Sequence, residues 1–272
     1  MSMYKKGALE PQIDIRDYKY APAGVTQEVF PSVFRLWMPP IKNQGNVNSC
    51  VAHSSAEICE HFDNRENKEY KPLSVGYVYG CRYDYTGEGM YLRDALKTLK
   101  NRGISTHQEF PYNKEVPEMI HLFNSKTDWK TDVNHKITSY FQIAPTNKRD
   151  MKSCLMKNGP IMVSIPWYED FSVNQGKVVS PSNFNSEFGY HAVVIYGWDD
   201  QNGGWLLQNS WGSTWGNGGR AIYPYDYPIR EAWGITDLEN NPDIKQPKDI
   251  KIAKPINAIT NTVIKLFKKC KI

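Results

Sequence analysis

The chain has 272 residues, 40% of them apolar and 13% aromatic, with a formal net charge of +4. That is enough apolar matter to bury a substantial core as one domain, and the scattered Pro and Gly exclude repeat and low-complexity architectures. The basic excess belongs to the end of the chain: residues 245–272 carry +7, which leaves −3 for residues 1–244 and removes the charge argument for a nucleic-acid-binding body.

In chain order, Met1-Ser-Met-Tyr-Lys-Lys-Gly-Ala-Leu-Glu-Pro11 lacks the apolar run of a secretory leader, and no stretch is long enough to span a bilayer. The five cysteines are odd in number and have no paired spacing. A reducing, cytoplasmic place of synthesis is therefore expected, with leaderless export or delivery to a host cell left open. Helices are predicted over 49–64, 72–82, 90–102 and 148–158, the first carrying Ala52, Ala56, Ile58 and Cys59 on or near an inward face. From Pro160 onward the chain turns to strand-like runs: Ile161-Met-Val-Ser-Ile165, Ala192-Val-Val-Ile-Tyr196, Trp205-Leu-Leu-Gln208 and Gly219-Arg-Ala-Ile-Tyr223. Helices followed by a mainly antiparallel sheet make an α+β fold. Near the end, Ile256, Ile259, Val263, Ile264 and Phe267 recur at helical spacing, with Lys265, Lys268, Lys269 and Lys271 largely away from them. This basic amphipathic helix reads either as packed on the body or as contacting an anionic membrane surface or a partner.

Three short stretches carry chemistry. Gln44-Gly-Asn-Val-Asn-Ser-Cys50, Gly189-Tyr-His191-Ala-Val193 and Gln208-Asn209-Ser-Trp211-Gly-Ser-Thr-Trp215-Gly216 supply an amide donor, a thiol, an imidazole and a second amide. With Ser49 as N-cap, Cys50 falls in the first turn of a helix, where unpaired amides and the helix dipole favour a thiolate. An imidazolium at His191 would lower the thiol pKa further and then protonate a leaving amine. The Asn209 amide oxygen can hold that ring without itself titrating. His53 lies one turn from Cys50, but its ring is expected to point along the helix. Cys59, Cys81 and Cys154 read as small buried hydrophobes.

The order Gln…Cys…His…Asn, each in its own local signature, resembles the papain-like cysteine proteases, over roughly residues 35–237. The resemblance implies a two-lobed fold, with a helical lobe and an antiparallel, barrel-like sheet lobe, and the active-site cleft between them. It makes Cys50, His191 and Asn209 catalytic and Gln44 an oxyanion donor beside the Cys50 amide. It lays Trp211 over the Asn209–His191 bond. Thr86–Ile104 followed by Glu109-Phe-Pro-Tyr112 resembles the family's glycine wall, where Gly87 and Gly89 would let an extended substrate backbone approach. Met90 and Ala192 fall near the pocket for the second residue before the cut bond, which suggests an aliphatic or aromatic preference. Val47 stands where relatives commonly have a disulfide cysteine. Asn48 replaces a glycine, Val51 a tryptophan and His53 an aromatic residue.

The implied activity is that of a cysteine endopeptidase working through an acyl-enzyme on a peptide or protein held extended. A peptide ligase, amidase or isopeptidase could use the same groups, and a silent peptide-binding module could retain them. No cofactor, metal or nucleic acid is expected, and the chain is expected to be a monomer. It divides into an N-terminal extension (1–30), a catalytic domain (31–238) and a basic tail with its amphipathic helix (239–272). Only 43 residues precede Gln44, fewer than the long pro-domain of most relatives, and Pro11–Tyr20 resembles the start of pro-domain-free microbial members. The chain is thus expected to be active, or nearly so, as translated. The competing reading makes residues 1–25 a short lid across the cleft.

Overall fold

The computed structural model describes residues 5–11, 14–21, 28–82, 88–112 and 135–237. Gly87, the basic tail and its amphipathic helix lie outside the described residues. No helix among the described residues is long and apolar enough to cross a membrane.

Strand β1 (Val33–Arg35) precedes three helices, α1 (Cys50–Asn67), α2 (Val75–Gly80) and α3 (Leu92–Asn101). Strand β2 (Ser139–Ile143) and helix α4 (Lys148–Lys157) follow, and the later elements among the described residues are strands: β3 (Ile161–Tyr168), β4 (Ser172–Asn174), β5 (Lys177–Val179), β6 (Phe188–Asp199), β7 (Gly204–Gln208), β8 (Arg220–Pro224) and β9 (Glu231–Thr236). The four predicted helices and four predicted strands are all present. β1, β2, β4, β5 and β9 were not predicted, being short or read as loop, and β1 and β2 bring strands into the sheet from ahead of Pro160. The sheet runs β2-β9-β3-β6-β7-β8-β5-β4, with β1 also pairing β6; its pairs are antiparallel apart from β5 with β8.

Helix α3 is amphipathic in the ordinary way, with Leu92, Ala95, Leu96 and Leu99 inward at i, i+3, i+4 and i+7. Helix α1 is different: every residue from Cys50 to Asp63 is buried. It is a central rod covered by the other helices on one side and by β6 and β3 on the other. Its polar side chains therefore need internal partners. Glu60 meets Lys42 at 2.7 Å and accepts from the Leu73 amide at 2.7 Å, while His61 Nδ1 donates to Trp37 O at 2.6 Å. One apolar cluster joins α1, α2 and α3 to one face of the sheet through Met162, Ala192, Val194 and Trp233, and a second joins α4 to the other face through Val163, Val193 and Ile195. The start of α1 comes up against β6.

Candidate active site

Cys50 is the first residue of α1, so its amide has no partner inside the helix. Ser49 holds the N-cap position, as predicted, but its side chain does not cap. The Ser49 hydroxyl lies 2.7 Å from the Tyr112 hydroxyl, and Tyr112 also donates to Gln44 O at 2.9 Å. Tyr112 thereby ties both ends of the 44–49 loop to the helical lobe. His53 Nδ1 bonds back to Ser49 O at 3.0 Å, and burial pushes its pKa down to about 3, so the ring is neutral and points along the helix.

The second lobe presents His191 from β6. Its Nε2 donates to Asn209 Oδ1 at 2.8 Å, and the Ser210 amide donates to the same oxygen at 2.7 Å. The Ser210 N–H identifies that atom as the amide oxygen, an acceptor only, which places the imidazole proton on Nε2 and leaves Nδ1 as an acceptor in the neutral ring. Nδ1 is buried and has no hydrogen-bond partner among the described residues. Trp211 stacks on the imidazole, with centroids 4.2 Å apart and planes 21° apart, and Trp167 meets it edge-on at 5.9 Å. Both rings keep water from the His191–Asn209 bond. The amide of Ala192, the next residue in β6, donates to Cys50 Sγ at 3.4 Å, so the nucleophile candidate and the base candidate are brought to one point from different lobes.

Gln44 is fully buried and held at both ends. Its Oε1 accepts from the Ser210 hydroxyl at 2.7 Å, and its Nε2 donates to Val47 O at 2.8 Å and to Lys5 O at 3.1 Å. Ser210 thus links the amide of Gln44 to that of Asn209. The sequence motif contained Ser210 without suggesting this role.

That Lys5 carbonyl belongs to an occupant. Residues 5–9 thread the cleft in extended form: Gly7 N donates to Cys50 Sγ at 3.2 Å, Met90 N donates to Gly7 O at 2.8 Å, and Leu9 N donates to Met90 O at 3.0 Å. Ala8 N adds a bond to Tyr190 O at 3.2 Å, so the segment is tied to both lobes. It runs parallel to the Met90 strip. Gly89 has φ +92°, and a Cβ there would stand 2.8 Å from Gly7 O, so glycine is what lets the two backbones meet. The strip pairs through Met90, whose side chain is turned into the helical core; Ala192 is likewise buried there. Asn48 reaches across the cleft mouth to donate to the Glu88 carboxylate.

The occupant changes the electrostatics. Burial pushes the Cys50 thiol up, against the amides of Ala192 and Gly7, which pull it down. Burial also lowers His191 to about 4, against the Asn209 bond. In this closed arrangement both groups are neutral at pH 7. Cys50, Cys59, Cys81 and Cys154 are free thiols, and Val47 is buried.

The fold is shared with solved proteases. Xylellain, a cysteine protease from Xylella fastidiosa, superposes with a TM-score of 0.71 at 24% identity, covering 87% of this chain and 97% of that one. A Carica candamarcensis cysteine protease in complex with E-64 gives 0.59 at 18%, covering 76% and 99%. In sequence, cathepsin K of Mus musculus is 28% identical over 211 residues, 76% of this chain; the chain spans about three fifths (61%) of that relative's length. The family model described as papain family cysteine protease matches residues 34–225, from β1 through β8. The chain belongs to the papain family of cysteine proteases.

Proposed function

We propose that this chain is a cysteine endopeptidase whose cleft is closed by its own residues 5–9. The observation that carries the reading is the cleft's occupant: an extended peptide already lies over Cys50, with one of its carbonyls on Gln44 Nε2. Once the segment leaves, an extended substrate can pair with the Met90 strip and place a carbonyl carbon at Cys50 Sγ. His191 Nδ1 takes the thiol proton, the thiolate attacks, and the oxyanion is held by Gln44 Nε2 and the Cys50 amide. The imidazolium, kept in plane by Asn209, gives its proton to the leaving amine, and water then hydrolyses the thioester through the same base. The bound segment escapes this chemistry because an amide N–H, not a carbonyl carbon, stands at the sulfur.

The test is intact-mass labelling of the full chain with an epoxysuccinyl-peptide inhibitor, in wild type, Gly7→Leu and Gly7→Leu/Cys50→Ala. A single adduct on Gly7→Leu that is lost with Cys50→Ala, together with cleavage of peptides, is expected. A folded, reduced Gly7→Leu chain that takes no adduct would overturn the reading. Product masses with a competing amine present separate hydrolysis from ligation: transfer to the amine at the expense of free acid would make the enzyme a ligase.

A further inference from the structure

The occupant also marks a subsite. β3 and β6 pair with Ile165 opposite His191 and Trp167 opposite Gly189, and the ladder continues where Glu169 N donates to Glu187 O at 2.8 Å. Paired residues share a face and every second residue returns to it. His191, Gly189 and Glu187 therefore line one side of a single face, and Ile165, Trp167 and Glu169 line the other. Gly189 leaves a gap in that row. The stem of Lys6 fills it: a Cβ on Gly189 would stand 2.9 Å from Lys6 Cδ and 3.4 Å from Lys6 Cβ. The stem thus lies along the face that presents His191 at one end and two carboxylates at the other.

The direction of the segment tells which substrate residue uses this seat. Gly7 is at the sulfur, and Ala8 and Leu9 lie along the Met90 strip, while Lys5 and Lys6 lie beyond the sulfur on the Gln44 side. The family resemblance puts Met90 and Ala192 on the side for residues that precede the cut bond, and on that assignment the Lys6 seat belongs to residues that follow it.

We propose that Glu169, Glu187 and the gap at Gly189 select a lysine or arginine immediately after the cut bond, an inference that rests on the peptidase reading above. The gap accepts a straight aliphatic stem, and the carboxylates receive its cationic end. Burial lowers the Lys6 amine, and the charges of Glu169 and Glu187 both act to raise it again. Glu169 and Glu187 are exposed, so the attraction is screened and modest, and it weakens with salt.

The experiment digests a proteome-derived peptide mixture with full-length Gly7→Leu chain and reads new N-termini by mass spectrometry, alongside Gly7→Leu/Glu169→Gln/Glu187→Gln. Lys and Arg should be enriched about fivefold at new N-termini in the first and return to input frequency in the second. No enrichment, or enrichment that survives in the second, overturns the assignment. A companion measurement needs no turnover: the hexapeptide Lys-Lys-Gly-Ala-Leu-Glu should slow iodoacetamide labelling of Cys50 in the Gly7→Leu chain. Its analogue with norleucine at the second position should protect several-fold less. Equal protection by the two peptides overturns the subsite even if nothing is cleaved, whereas absence of cleavage with unequal protection overturns only the peptidase reading.

Discussion

The Gly7 amide points at Cys50 Sγ from 3.2 Å, and a Cβ on Gly7 would stand 2.0 Å from Asn48 O. Only glycine lets the segment sit this low. Gly7→Leu cannot be accommodated by a side-chain shift, because the obstacle is the backbone of Asn48, in the loop ahead of α1. The substitution should lift the segment and raise the rate of Cys50 alkylation at least tenfold in the full-length chain. Iodoacetamide time courses followed by peptide mass mapping would show it. Equal rates in wild type and Gly7→Leu would mean that the segment does not cover the thiol in solution.

Lifting the segment should also move the pH profile. In the closed chain burial raises Cys50 and lowers His191 to about 4, so neither is charged at neutral pH. Readmitting water relieves both shifts: the thiol pKa falls, the imidazole pKa rises, and a thiolate–imidazolium pair becomes populated between them. The Cys50 alkylation rate plotted against pH should therefore have its midpoint at lower pH in Gly7→Leu than in wild type. Superimposable profiles would show that burial under residues 5–9 is not what holds the thiol protonated.

Much of this site could be read from the residues. The four groups Gln44, Cys50, His191 and Asn209 lay in compact signatures, and the chemistry of each constrained what stood beside it. The occupant could not be read that way. Lys5-Lys-Gly-Ala-Leu9 has no periodicity of its own, and its conformation comes from backbone bonds to Met90 and Tyr190, which leave no mark on side-chain pattern. The bonds of residues 5–9 to Cys50, Met90 and Tyr190 support the competing lid, as proposed above, over a chain active as translated. Short strands escaped similarly: Ser139–Ile143 is mostly half-buried and is ordered by its register with Glu231–Thr236. Met90, expected to line a pocket, pairs through its backbone with Gly7 and Leu9, while its side chain packs in the helical cluster and borders a cavity with Asp94 and Thr98.

Gln44 and Ser210 give a graded pair of variants. In the opened Gly7→Leu background, Gln44→Ala removes an oxyanion donor and should lower kcat about 100-fold while Cys50 still takes an alkylating label. Ser210→Ala leaves that donor in place but frees the amide that the Ser210 hydroxyl holds at 2.7 Å, and one such bond corresponds to roughly a fivefold loss. Steady-state kinetics on one peptide would rank the two. A Ser210→Ala loss as large as that of Gln44→Ala would mean that Ser210 does more than orient Gln44.

Glu57 offers a stability test away from the cleft. It sits on the buried face of α1, its Oε1 has no hydrogen-bond partner among the described residues, and burial pushes its pKa up to about 8 against the pull of Lys42. Its ordinary value is 4.5. Below pH 4.5 the carboxyl is neutral in both folded and unfolded chains, and its contribution is fully present. Between 4.5 and 8 the folded chain keeps a proton that the unfolded chain releases, so stability is lost as pH rises, by on the order of a few kcal/mol in all. Glu57→Gln carries no such proton. The lowered pKa values of His53 and His191 act in the opposite sense below pH 6.5, but they are common to both chains and cancel in the difference. The Tm of Glu57→Gln minus that of wild type should therefore climb steadily from pH 4.5 to 8. A difference that stays flat across that range would mean that Glu57 is ionised in the folded protein and finds a cationic partner there.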